Sequence, residues 1–189
     1  IRDAILSRGL EMCIRDRSVT DRKNPKIIIE SLETIDGDVS LEIIGQTPNL
    51  KYLKELNNLI SSSKYSERIT MTPFIEAEQL ISKYASANLF ILPSKSEGLG
   101  RVVIEAQATA CPVLVSSNTG MVDLIIENET GYIFENNNKN DLSNKIQHIM
   151  NNYESALQTG LNSKDFVKEN QSVANFEFGY KKLIDLVST

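Results

Sequence analysis

Two carboxylates, Glu97 and Glu105, frame a glycine-bearing turn and could do chemistry there. The string reads Ser94-Lys95-Ser96-Glu97-Gly98-Leu99-Gly100-Arg101-Val102-Val103-Ile104-Glu105. The apolar residues from Asn88 to Pro93 read as a buried strand running into it. Val102, Val103, Ile104, Ala106 and Ala108 read as a helix leaving it. A strand-to-helix turn is a ready anion site, because the first helical turn leaves backbone N–H groups free at the positive end of the helix dipole. Gly98 and Gly100 let the backbone approach a ligand where a Cβ would block it. Glu97 stands just before the turn and Glu105 about one turn into the helix, so both are expected to face one pocket beside a phosphate position. A turn with two glycines is, by itself, more often a plain connection.

The elements around this turn follow from hydrophobic spacing. Strands are expected at 39–44, 68–72, 89–92, 112–116 and 132–134. Helices are expected from Asn24-Pro25, from Thr47-Pro48, at 76–87, at 101–109, from Asp141, and near 153–170 and 172–187. Asn24 and Asp141 read as caps, and Leu80, Ile81 and Tyr84 as inward-facing. Strands alternating with helices imply an α/β fold, a doubly wound parallel sheet covered on both faces. In such sheets ligands bind at the carboxyl ends of the strands. The central turn, the Gly45 loop and the loop 116–120 all lie at such ends.

Composition narrows the function classes. A chain of 189 residues, 41% hydrophobic and 24% charged, is long enough for a full core and typical of a globular protein. A net charge of −5 argues against general nucleic-acid binding. No apolar run reaches the length of a membrane span, and no signal peptide is visible. Cys13 and Cys111 make neither a disulfide framework nor a metal site, and Cys111 reads as a small core residue. His148, the single histidine, is expected on a surface.

The first residues are set apart. Ile-Arg-Asp occurs at positions 1–3 and again at 14–16. Met12-Cys13-Ile14-Arg15-Asp16 looks like the translation of a transposon-end sequencing adapter. Residues 1–17 are therefore expected to be a non-native or disordered arm. Residues 18–189 are expected to form the domain, with its first strand and a whole N-terminal domain missing.

The string Ser-x-x-Glu-Gly-Leu-Gly, then Glu105-Ala106, then Ala110-Cys111-Pro112-Val113-Leu114-Val115-Ser116, closely resembles the donor-binding region of family 4 retaining glycosyltransferases. The resemblance runs from about Lys23 to the end of the chain. It implies the C-terminal, Rossmann-like half of a GT-B fold, which holds a sugar nucleotide. Gly98, Leu99 and Gly100 would then offer backbone N–H groups to the diphosphate. Glu105 would accept from the ribose hydroxyls, and Glu97 would hold a hydroxyl of the transferred sugar. Lys23 matches the family's lysine that neutralises the leaving diphosphate. Arg17, without the usual preceding Gly, or Arg22 in its place, would be the accompanying arginine. Phe74 and Ile75 would lie against the nucleotide base. The loop 116–121 departs from the family pattern, with Gly120-Met121 and Asp123 where two glycines and a Glu are usual.

No Asp-x-Asp metal pair appears near the site, which suits metal-independent stabilisation by backbone and cations. The resemblance thus implies no cofactor beyond a UDP-, GDP- or other nucleoside-diphosphate sugar. It implies a glycan or lipid-linked glycan acceptor held by the missing domain, a cytoplasmic location, and peripheral membrane contact where the acceptor is lipid-linked. A non-catalytic nucleotide-sugar-binding module and a GT-B nucleotide-sugar epimerase are the alternatives.

Overall fold

The computed structural model of the chain describes residues 9–170. Six parallel strands form one sheet: β1 Leu10–Ser18, β2 Val39–Gln46, β3 Ile69–Thr72, β4 Leu89–Leu92, β5 Val113–Ser116 and β6 Tyr132–Phe134. Their spatial order is β3-β2-β1-β4-β5-β6. The chain therefore steps outward from β1 to β3, returns beside β1 as β4, and steps outward again to β6. The reversal lies between β1 and β4, where Cys13 pairs with Phe90. At such a reversal, ligands of doubly wound sheets bind outside the carboxyl ends of the two adjacent strands.

Helices cover both faces, as the doubly wound, Rossmann-like expectation requires. One face carries α1 Pro25–Leu32, α2 Leu50–Ser62 and α5 Lys139–Asn151 over a core that includes Leu41, Ile43, Leu89, Ile91 and Leu114. The other carries α3 Ala77–Ser86 and α4 Arg101–Ala108 over Phe90, Leu92, Val113 and Val115. A final helix, α6 Tyr153–Asn170, packs on α4 and α5. Every residue of β4 and β5 is buried, because helices cover them on both sides.

The expectation for residues 1–17 needs correction. A strand does precede position 18, and it sits in the middle of the sheet. Leu10, Met12 and Ile14 alternate onto the α1 face, and Cys13 points to the other. The charged run Arg15-Asp16-Arg17 falls at the carboxyl end of β1, where the register with β2 breaks between Arg15 and Ser18. Gly45 faces that break with φ of 147°, and a Cβ there would lie 2.2 Å from the Asp16 carbonyl oxygen. Only glycine admits this approach of β1 to β2.

Other boundaries shift for local reasons. Asn24 does not cap α1 with its side chain; it adopts a left-handed conformation with φ of 52°, and Pro25 starts the helix. Helix α2 starts after Asn49, whose side chain accepts from the Tyr52 N–H. Helix α5 starts earlier than Asp141, since Asn138 accepts from the N–H groups of Asn140 and Asp141. Ile81 faces outward, 59% exposed, while Leu80 and Tyr84 are buried. His148 is exposed and Cys111 buried. The expected helix at 172–187 lies outside the described residues. Among the described residues no helix is long and apolar enough to cross a membrane.

Candidate functional site

The loops after β1 and β4 meet at the sheet's reversal. The backbone N–H of Lys95 donates to the Arg22 carbonyl at 2.8 Å, tying one loop to the other. The Lys95 ammonium adds a pair of contacts to the Asp21 carboxylate, at 2.8 and 2.9 Å. Between these ties the Lys23 ammonium pairs with both the Asp16 and the Glu97 carboxylates. All three side chains are about 85% buried, so the cation is screened little by solvent. Arg22 donates to the Ser96 carbonyl at 2.8 Å and lies 3.4 Å from Glu97 Oε2, with more than half of its side chain exposed. The structure thus assembles Lys23, Arg22 and Glu97 at one point and adds Asp16.

Past Glu97 the chain makes the glycine turn. Gly120 N–H donates to the Glu97 carbonyl at 2.9 Å, and the two segments run together at Glu97 and Thr119. A Cβ on Gly120 would lie 2.1 Å from the Gly98 carbonyl oxygen, so the loop after β5 clamps the turn from behind. Asn118 and Asn136 fix the start of the turn by donating to the Lys95 carbonyl at 2.6 and 3.3 Å. The two glycines of the turn then differ. Gly100 is buried, and its Cβ would meet Leu92 at 2.8 Å, so core packing alone demands glycine there. Gly98 is exposed, and a Cβ on it would meet nothing within 4 Å. Leu99 beside it is 59% exposed. No side chain caps α4, which begins just after Gly100. The turn is rigid behind and open in front, the form an anion cradle takes.

Glu105 lies one turn further along α4, with 44% of its side chain exposed. Its Oε2 accepts from Arg15 Nη1 at 3.0 Å and from the Tyr84 hydroxyl at 3.3 Å. Phe74 is 65% exposed in the segment after β3. Ile75, next to it, packs on the α3–α4 side of the sheet, the side that holds Tyr84. Both belong to the edge strand's loop, two strands removed from β1. Arg17 is on β1, and its side chain lies outside the described residues.

Sequence reasoning missed Asp16, Arg15, Tyr84 and Lys95. The first two were set aside with the arm. Tyr84 carries no local signal beyond its inward helical position, and Lys95 none beyond its place in the turn. Among the described residues no group of three or more His, Cys, Asp or Glu side chains converges as a metal site would.

A doubly wound parallel sheet with a clamped, front-open glycine turn and converging cations at its reversal defines a Rossmann-like α/β domain. The family model for glycosyl transferases group 1 matches residues 17–166, and the chain belongs to that family. It is 30% identical over 150 residues to an uncharacterized glycosyltransferase of Methanocaldococcus jannaschii, covering 78% of this chain and 40% of that protein. It is 33% identical over 117 residues to a capsular polysaccharide biosynthesis glycosyltransferase of Staphylococcus aureus, covering 58% and 30%. The chain therefore spans well under half the length of these relatives. Among solved structures, Anabaena HepE in complex with UDP-glucose superimposes with a TM-score of 0.84 at 18% identity, over 100% of this chain and 51% of that one. The C-terminal domain of a glycosyl transferase group 1 family protein from Francisella tularensis superimposes with a TM-score of 0.79 at 21% identity, over 87% of each chain. The fold is thus the Rossmann-like C-terminal half of the GT-B architecture.

Proposed function

We propose that this chain is the donor-binding portion of a retaining, family 4-type glycosyltransferase that moves a sugar from a nucleoside diphosphate to an acceptor. The observation that carries the reading is the meeting of Lys23, Arg22 and Glu97 beside the open face of Gly98, at the reversal of the strand order between β1 and β4. The backbone of Gly98, Leu99 and Gly100 binds the diphosphate. Lys23 and Arg22 offset the charge that grows on it as the glycosyl–phosphate bond breaks, which is charge stabilisation by pre-placed groups rather than by a cofactor. Arg17, one loop away on β1, is the further candidate for that role.

Glu97 holds a hydroxyl of the sugar near the reacting carbon, and Glu105 accepts from the ribose. Phe74 and Ile75 meet the base. Two observations on other proteins support a nucleoside-diphosphate sugar as donor. HepE is solved with UDP-glucose and with UDP. A mycobacterial relative, 24% identical over 159 residues, is described as a GDP-mannose-dependent phosphatidylinositol monomannoside mannosyltransferase. We place the glycan or lipid-linked glycan acceptor on the part of a longer protein that such relatives have beyond this match, and peripheral contact with the cytoplasmic face of a membrane there too. By the same reading the chain alone binds donor and transfers nothing.

The test is a transfer assay on a protein that joins this chain to a relative's N-terminal half, with UDP- and GDP-sugars as donors. The expected product keeps the donor's anomeric configuration. Product of inverted configuration would refute the retaining assignment. Release of nucleotide by this chain alone, with sugar transferred to an acceptor, would refute the division of labour.

A further inference from the structure

Tyr84 is a buried tyrosine whose hydroxyl leaves the core at one point. Its residue exposure is 1%, and its ring stands edge-on to Phe90 with centroids 5.5 Å apart and an interplanar angle of 84°. Leu80, Val103 and Ala106 belong to the same apolar cluster. A phenol enclosed in this way must direct its hydroxyl to an acceptor or bear the cost of an unpaired polar group. The acceptor is Glu105 Oε2, at 3.3 Å. Arg15 Nη1 reaches that same oxygen at 3.0 Å. Among the described residues both contacts fall on one oxygen of the carboxylate, and Oε1 carries neither.

We infer that Tyr84 is a positioning residue for donor binding: its hydroxyl, with Arg15, pins one oxygen of Glu105 so that the other is presented to the vicinal diol of the nucleotide ribose. The inference rests on the ribose role proposed for Glu105 and adds to it the device that holds that carboxylate still. A half-exposed glutamate on a helix otherwise samples several rotamers, and a ligand must select one of them. Here the selection is made in advance by a ring that core packing has already fixed. Burial, and then the neighbouring Glu105 charge, push ionisation of the Tyr84 phenol upward, so the hydroxyl stays a donor throughout the physiological range.

The experiment measures affinity by calorimetry for UDP and GDP and for their 2′,3′-dideoxy counterparts, on the full 189-residue chain. Tyr84→Phe keeps the ring and its contact with Phe90 and removes only the hydroxyl. The expected result is a three-fold or larger loss of affinity for the ribonucleotide and no change for the dideoxynucleotide, since only the diol senses where Glu105 points. Arg15→Gln, which leaves Glu105 and Tyr84 in place and removes the second group on the same oxygen, is expected to weaken the same diol preference; it reads the pinning of Glu105 should Tyr84→Phe fail to fold. Equal losses for both nucleotides in Tyr84→Phe would make Tyr84 a core residue only and overturn the inference, as would no loss for either. Glu105→Ala separates the two levels. If it abolishes the diol preference while Tyr84→Phe does not alter it, the ribose reading stands and the positioning role falls. If the unaltered chain shows no diol preference, both fall.

Discussion

Lys23 reaches Glu97 across 74 residues of sequence, its ammonium held by that carboxylate and by Asp16 together. The pairing places an acid and a base on the loops of two adjacent strands before any donor arrives. It also separates two roles. With Glu97→Gln, Asp16 still holds Lys23, so the cation stays where we propose that it meets the diphosphate. In the whole enzyme this substitution is expected to leave UDP or GDP affinity nearly unchanged and to lower turnover about ten- to a hundred-fold, the scale of a misplaced reacting group. Steady-state kinetics beside nucleotide titration check it. A loss of free-nucleotide affinity as large as that of Glu105→Ala, with no separate turnover defect, would remove Glu97 from the sugar.

The two sides of the glycine turn are expected to respond in opposite ways. In Gly120→Ala the new Cβ would collide with the Gly98 carbonyl oxygen, 2.1 Å away, and backbone must move. Such strain costs about 1–3 kcal/mol, and melting temperature falls by roughly 2–4 °C per kcal/mol for a chain of this length. Gly98→Ala meets nothing within 4 Å, and its backbone lies outside the left-handed region, so the melting temperature should barely change. On the proposed reading its nucleotide affinity should drop, because the added methyl fills open space assigned to the diphosphate. Thermal melts of both variants, with and without UDP or GDP, read this directly. A Gly98→Ala chain that bound nucleotide as well as the unaltered one would move the diphosphate elsewhere.

Much of this arrangement was legible in the amino-acid order, and the reasons differ by residue. Strands β4 and β5 are buried on both sides, so Leu89–Leu92 and Val113–Ser116 read as apolar runs without ambiguity. The turn was legible because Glu97, Gly98, Gly100 and Glu105 are local to one another. Strand β1 was not, since the repeated Ile-Arg-Asp and three consecutive charges obscured the alternation of Leu10, Met12 and Ile14. The Lys23–Glu97 and Tyr84–Glu105 contacts join residues that no periodicity relates; only the placing of β1 beside β4, and of α3 beside α4, brings them together. Asn138 displaced Asp141 as a cap because a side chain one turn earlier already satisfied the free N–H groups.

The cysteines set an alkaline limit. Burial, and for Cys13 also the charge of Glu42, pushes each thiol from 9.0 up to about 12. Below pH 9 both are protonated, folded or unfolded, and contribute no pH dependence. Between pH 9 and 12 the unfolded chain gives up these protons and the folded chain keeps them, so stability falls as pH rises, by about 1.4 kcal/mol per pH unit for each thiol. Urea unfolding at pH 8, 9.5 and 11 should show this slope, and the double variant Cys13→Ala, Cys111→Ala should show a shallower one. Parallel curves for the two proteins would mean that the thiols ionise freely in the fold.

We propose that the β1–β4 reversal binds a nucleoside diphosphate, with Glu105 on its ribose. Calorimetric titration of this chain and of Glu105→Ala with UDP and with GDP decides it. A hydrogen bond to a charged group contributes about 1.5–3 kcal/mol, so Glu105→Ala should bind roughly ten-fold more weakly or worse, in a chain that still folds but melts a few degrees lower, because the buried Tyr84 hydroxyl loses its acceptor. Equal affinity in the two proteins would take Glu105 off the ribose, and no binding of either nucleotide by the unaltered chain would leave the β1–β4 loops without the proposed ligand.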